Sequence, residues 1–213
     1  MILNISHIAF SCTLKEQAGV IRRFEKEGYM CKFVTEKIPV LEQKRRFMTF
    51  PESEHDMAFL EKPGAISIEV NAYSHTSGAS SLQLNTLSII MPTADVQISA
   101  SLFKALGCEI TSAEHDQAIL VINYPMMKQP VHMILKKDPD RHHQGLDPAG
   151  FCGLCFLSNS VHKEQERLLH QGIQCSEPAS QIINNVALDI CFITSPSGDI
   201  IEIISPSHSG KQL

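Results

Sequence analysis

The sequence predicts an α+β fold assembled from three tandem β-α-β-β-β units. Three observations point there. A strand-like apolar segment, an amphipathic stretch and a glycine recur in that order three times. After each glycine the apolar pattern switches to period two, and the joints between the repeats are polar and rich in turn residues.

Unit one spans residues 1–73. It opens on Ser6-His7-Ile8-Ala9-Phe10, continues through a helical stretch from Leu14 to Glu27 and stops at Gly28. Val20, Ile21 and Phe24 form the apolar stripe of that helix. Strands are expected near Tyr29–Val34, His55–Leu60 and Ala65–Asn71, the last behind the turn Lys62-Pro63-Gly64. An insertion from Glu36 to Arg46 reads as too polar for core, hence a surface lobe or mouth loop. Ser74–Ser81 is a small-residue joint of flexible-linker composition.

Unit two, residues 84–137, is the divergent copy. Thr86-Leu87-Ser88-Ile89 opens it, Ala94 to Leu106 is helical and Gly107 ends the helix. Strands follow at Glu109–Ser112, Ala118–Asn123 and Val131–Lys136. The polar joint Lys137–Gly150 holds two Asp-Pro turns. Unit three, residues 150–206, begins with Gly153-Leu154-Cys155-Phe156, has a helix from Val161 to Gln171 and stops at Gly172. Its strands are Gln181–Asn184, Ala187–Thr194 and Asp199–Ile204, the last behind Ser195-Pro196-Ser197-Gly198. Thr13, Thr93 and Asn159 or Ser160 are the candidate helix caps. The three glycines suit the left-handed position that commonly ends a helix.

Composition narrows the function classes. The net charge is −5, from 18 Lys and Arg against 23 Asp and Glu, which gives no electrostatic case for nucleic-acid binding. No apolar run approaches the roughly 18 residues of a membrane span. No export signal is read at Met1–His7, so the seven cysteines are expected to be reduced thiols of a cytoplasmic protein. Phosphate-loop, dinucleotide and nucleophile-elbow motifs are absent.

A repeat that opens with His-Ile-Ala-Phe and closes with Ser-Pro-Ser-Gly-Asp-Ile-Ile-Glu-Ile resembles the vicinal oxygen chelate superfamily of glyoxalase I, bleomycin-resistance proteins, extradiol dioxygenases and methylmalonyl-CoA epimerase. The resemblance implies that two units pair into a cupped mixed sheet, with metal ligands on the first and last strand of each. Carried over position by position, the first-strand ligand falls on His7, Thr86 and Gly153, of which only His7 is a good donor. The last-strand ligand falls on Glu69 and Glu202; in unit two His132 and Lys136 share the corresponding face. The residues add their own argument. Ser67, Glu69 and Asn71 alternate with Ile66, Ile68 and Val70, as on a strand with one face toward a wet cavity. Glu202 shares its face with Ile200 and Ile204, and a carboxylate among isoleucines needs a partner or a cation.

His7, Glu69 and Glu202 together would suit a divalent Zn, Ni, Mn, Fe or Co ion. The resemblance then implies a metal-dependent lyase, isomerase or epimerase acting on a small oxygenated metabolite, with Glu69 or Glu202 as catalytic base. The extradiol two-histidine, one-carboxylate set is not matched. Competing readings are a metal-free small-molecule binder of the bleomycin-resistance type and a non-catalytic scaffold. Cys152-Gly153-Leu154-Cys155 reads as structural, since a regular strand sends the two sulfurs to opposite faces. His142-His143 reads as solvated, and Met126-Met127 as core filler.

The pairing is open at this level. Units two and three are the nearer pair in sequence, whereas the candidate ligands require units one and three to face each other. With an odd number of units, a homodimer is the expected assembly.

Overall fold

The computed structural model describes residues 1–80, 83–85, 88–138, 145–195 and 197–207, by backbone alone at 77–80 and 83–85. Unit one contains β1 (Ile2–Thr13), α1 (Gln17–Lys26), β2 (Met30–Pro39), the short α2 (Glu42–Arg45), β3 (Glu54–Glu61) and β4 (Ser67–Tyr73). A further strand, β5 (Ser77–Ser80), follows. Unit two contains β6 (Gln83–Asn85), β7 (Ser88–Thr93), α3 (Val96–Ala105), β8 (Glu109–Ala113), β9 (Gln117–Ile122) and β10 (Val131–Lys137). Unit three contains β11 (Pro148–Ser158), α4 (Val161–His170), β12 (Ala179–Ile183), β13 (Val186–Thr194) and β14 (Ile200–Pro206).

Each unit has one plan. Its first strand lies parallel to its last, and the remaining strands extend outward antiparallel. Units one and three join through β1 and β11, which run antiparallel with His7 opposite Cys155 and Ile8 opposite Leu154. The resulting sheet has the order β12-β13-β14-β11-β1-β4-β3-β2, with β5 paired to β11 off this path. Unit two forms its own sheet, β6-β7-β10-β9-β8. The two pairings that the sequence leaves open are thus decided for units one and three. A physical reason is visible at β7: its outer edge, where a partner's first strand would pair, is already taken by β6.

One apolar core lies on the helix side. Ile8, Ile68, Val70, Leu154, Phe156, Ile201 and Ile203 from the joint sheet meet Phe24 of α1 and Leu168 of α4 there. Phe103 of α3 packs on Phe156 with ring centroids 6.5 Å apart, which seats unit two on the same core. A second tie is polar. The buried Asp199 carboxylate accepts hydrogen bonds from Ser195 (3.1 Å), Ser197 (2.7 Å) and Ser99 of α3.

Some local expectations need correcting. Ser160 caps α4, but α3 is capped by Asp95, whose side chain accepts from the N–H groups of Gln97 and Ile98. Thr93 cannot serve because it is still paired in the β7 ladder. The α1 cap position is Glu16, which makes no side-chain cap hydrogen bond and instead accepts from the Thr13 N–H and hydroxyl. Gly28, Gly107 and Gly172 do take positive φ at the helix ends (91°, 96° and 76°). The joint after Tyr73 is partly strand, since β5 pairs with Pro148–Gly150. The insertion is not purely surface: Ile38 and Val40 are buried. Val40 packs with Met48, Tyr73, Leu146, Phe192 and Ile204 on the concave side of the joint sheet.

Candidate functional site

The period-two pattern that buries Ile68 and Val70 on the helix side turns Glu69 and Asn71 to the concave side. Ile201 and Ile203 send Glu202 there in the same way, and Ile8 sends His7. The three side chains converge at the seam. His7 Nε2 lies 3.3 Å from Glu69 Oε2 and 3.8 Å from Glu202 Oε2. His7 is 4% exposed and Glu69 7%. Neither contact is a hydrogen bond, so Nε2 is buried without one among the described residues. Nδ1 contacts the Ser6 hydroxyl at 3.2 Å, and Phe59 packs edge-on against the imidazole.

Glu69 is held from behind: Asn71 Nδ2 donates to Oε1 at 2.7 Å. Burial opposes protonation of His7, but the Glu69 and Glu202 carboxylates overcome it and raise its pKa. For Glu202, burial favours the neutral acid, and His7 with Lys44 outweighs that to lower its pKa.

Four neighbours were not singled out as site residues. Cys155 stands directly between the partners, paired with His7 across β1 and with Glu202 across β14. Donor atoms of His7, Cys155 and Glu202 all lie within 4.8 Å of one another. Cys152 also lines the cavity, against the expectation of opposite faces. Ala9 faces Gly153 while Phe10 faces Phe151, so Cys152 is the extra residue of a β-bulge that resets the pleat. Burial pushes the Cys152 thiol up to about 12 and the Cys155 thiol well above its ordinary value. All seven cysteines are unbridged.

The third neighbour is Lys44, from the insertion, which lines the same cavity as Glu69 and Glu202. Burial works against its charge, but Tyr73, Glu69 and Glu202 raise its pKa on balance. The fourth is His55, stacked on Tyr73 at 5.3 Å. Burial and the Lys44 cation push its pKa down to about 3, against a smaller opposing pull from Glu69.

Sequence can show that Lys44 is polar, not that it points inward. The apolar Ile38 and Val40 within the insertion were the available signal that this segment folds back.

The cavity is small and nearly closed. It measures about 20 Å3 and is walled by Lys44, Leu146, Cys152, Phe192, Ile200 and Glu202. That is room for one water or ion, not a metabolite. The cover is tied down: Leu146 N–H donates to Phe47 O at 2.6 Å, and the Ser11 hydroxyl donates to Leu146 O at 2.8 Å. A larger cavity of about 890 Å3 lies beyond, lined by Phe47, Met48, Ile98, Leu102 and Ile200. Ile200 belongs to both walls.

Of the remaining sequence candidates, Gly153 lines the small cavity without a side chain to offer. His132 and Lys136 are exposed on the second sheet. Thr86 and His142-His143 lie outside the described residues.

The donor set can be tested against a metal ion. Nitrogen and oxygen ligands held about 2.0–2.2 Å from one tetrahedral ion lie roughly 3.3–3.6 Å apart. The separations at Nε2, 3.3 and 3.8 Å, are close to that spacing, and the buried imidazole nitrogen between two carboxylates can serve as a ligand atom once it gives up its proton. His7, Cys155 and Glu202, whose donor atoms all lie within 4.8 Å of one another, fit such an ion, and Glu69 stands beside them at 3.3 Å from His7 Nε2.

No family model and no curated protein matches the chain. Solved structures similar to it include a putative dioxygenase from Bacillus subtilis, at 10% identity and TM-score 0.45 over 96% of this chain. The chain spans 64% of that protein's length. A glyoxalase I mutant from Zea mays is similar at 14% identity and TM-score 0.42, covering 96% of this chain and 68% of that one. Methylmalonyl-CoA epimerase from Mycobacterium tuberculosis is similar at 12% identity and TM-score 0.48, covering 98% and 91%. Among the described residues, no helix is long and apolar enough to cross a membrane. The repeated β-α-β-β-β units, two of them joined through their first strands into one curled sheet, are the α+β architecture that the sequence resemblance leads one to expect.

Proposed function

We propose that the chain is a metal-dependent enzyme of the glyoxalase-like kind, a lyase, isomerase or epimerase acting on a small oxygenated metabolite. His7, Glu69 and Glu202 are the candidate ligands of a divalent ion. The observation that carries this reading is the convergence of Glu69 and Glu202 on the buried His7 Nε2, at 3.3 and 3.8 Å, with no other partner for that nitrogen among the described residues. When bound, such an ion supplies Lewis-acid polarisation to a substrate offering two oxygens. The protein's own groups do the rest. Glu69, oriented by Asn71, or Glu202 serves as the base that takes and returns a carbon-bound proton. The Val40–Met48 segment and Leu146 keep water out, and substrate enters from the larger cavity by displacing them at Phe47 and Ile200.

The test is metal content. Protein stripped with chelator and dialysed against zinc, cobalt or manganese should retain one equivalent, and His7→Ala and Glu202→Gln should not. Failure of the unmodified protein to retain any of these ions overturns the reading.

Lys44 favours a second reading. Its ammonium shares the cavity with both carboxylates and can neutralise them without a metal, as in a metal-free small-molecule binder. The same dialysis separates the two, because a binder neutralised by Lys44 retains no ion.

A further inference from the structure

We infer that Cys155 is a ligand of the same ion, so that His7, Cys155 and Glu202 hold the metal and Glu69 is the carboxylate left to move the proton. This rests on the metal-dependent reading and goes beyond it, since it places a thiolate in the coordination sphere and assigns different tasks to the two glutamates.

Register carries the inference. Hydrogen-bonded neighbours across a sheet present their side chains side by side on one face. His7 pairs with Cys155 across β1 and β11, and Cys155 pairs with Glu202 across β11 and β14. The three donors therefore stand in one row over three adjacent strands, mutually within 4.8 Å. Glu69 lies outside that row. It faces Ala9 from β4, on the other side of β1, and its Oε1 is engaged by Asn71.

Burial supplies the second argument. Cys155 and His7 are both buried, and His7 Nε2 has no hydrogen-bond partner among the described residues. A nitrogen, a sulfur and a carboxylate oxygen form a mixed donor set that favours zinc-like ions over manganese or magnesium. Three protein ligands leave a fourth position open, as a catalytic site requires, whereas adding Glu69 would close it. As the sulfur–metal bond forms, the S–H bond breaks and its proton leaves to the buffer.

Cobalt(II) provides the test, because thiolate ligation gives a sulfur-to-cobalt charge-transfer absorption in the near-ultraviolet. Stripped protein loaded with one equivalent of cobalt should show this band. Cys152→Ser, which alters the thiol that lines the small cavity, should keep it. Cys155→Ser should lose it and bind cobalt at least tenfold more weakly. Should the serine variant fail to fold, Cys155→Ala repeats the measurement with an apolar side chain suited to the buried position. Cobalt bound one to one without the band, or a band that survives in the Cys155 variants, overturns the inference and leaves the metal-dependent reading standing. Protein that takes up no cobalt overturns both.

Discussion

Asn71 fixes one oxygen of Glu69 while the other faces His7: Nδ2 donates to Oε1 at 2.7 Å, and Oε2 lies 3.3 Å from the imidazole Nε2. The two residues sit two apart on β4, so they share a face, and the amide aims the carboxylate. Partners of this kind typically contribute 10–100-fold to metal affinity. If Glu69 is a ligand, Asn71→Ala should weaken zinc binding about 10–100-fold, read by competition with a chelating dye; if Cys155 is the ligand instead, zinc affinity should stay within about threefold. Circular dichroism should remain that of the unmodified protein.

His55 should make the protein acid-sensitive. Its folded-state pKa is depressed to about 3, by burial first and then by the Lys44 cation, against an ordinary value of 6.5. Between those values the unfolded chain binds the proton and the folded one does not. Stability therefore rises with pH across that window and is lost as pH falls through it. The full contribution by pH 3 is on the order of 3–5 kcal/mol. Urea unfolding at several pH values should show this slope, and His55→Phe should flatten it between pH 6.5 and pH 4.

The repeat was legible because strands buried on one face write period two into sequence. Ile68, Val70, Ile201 and Ile203 alternate with Glu69 and Glu202, and that alternation alone places both carboxylates on the concave side. The partner of unit one was not legible, because edge pairing depends on which strand edge is vacant, and β6 covers that of β7. Cys152 was misplaced for another reason. A bulge shifts the pleat by one residue without any signature in residue type, although the adjacent Gly153 is compatible with one. Lys44 escaped because a polar run does not reveal which member turns inward.

The cover over the cavity depends on Asp147. Its carboxylate is buried and accepts the backbone N–H groups of Thr49 (3.0 Å) and Phe50 (2.8 Å). Hydrogen bonds to a charged acceptor contribute about 1.5–3 kcal/mol each. Asp147→Ala should therefore release the segment around Phe47 and Met48 more than it disturbs the seam. Hydrogen exchange followed by mass spectrometry should show peptides covering residues 40–50 exchanging at least tenfold faster, with peptides of β1 and β4 unchanged. Equal acceleration throughout would mean that Asp147 supports the whole fold and not the cover.

Lys44 decides between the metal-dependent and metal-free readings by its effect on two quantities at once. Its ammonium offsets the charge of Glu69 and Glu202 in a cavity of about 20 Å3. Removing it leaves two carboxylates against one imidazole, and partly buried charges that lose their partner cost stability. Lys44→Met keeps the length and apolar stem of the side chain, so packing on the cover is preserved. The metal-free variant should unfold about 1–3 kcal/mol more easily. A divalent ion entering the same cavity no longer meets a competing cation, so zinc should bind at least tenfold more tightly and raise the melting temperature of the variant more than that of the unmodified protein. Thermal melts with and without zinc measure both effects. If the variant is destabilised and zinc restores nothing, Lys44 is the resident counter-charge of a metal-free cup.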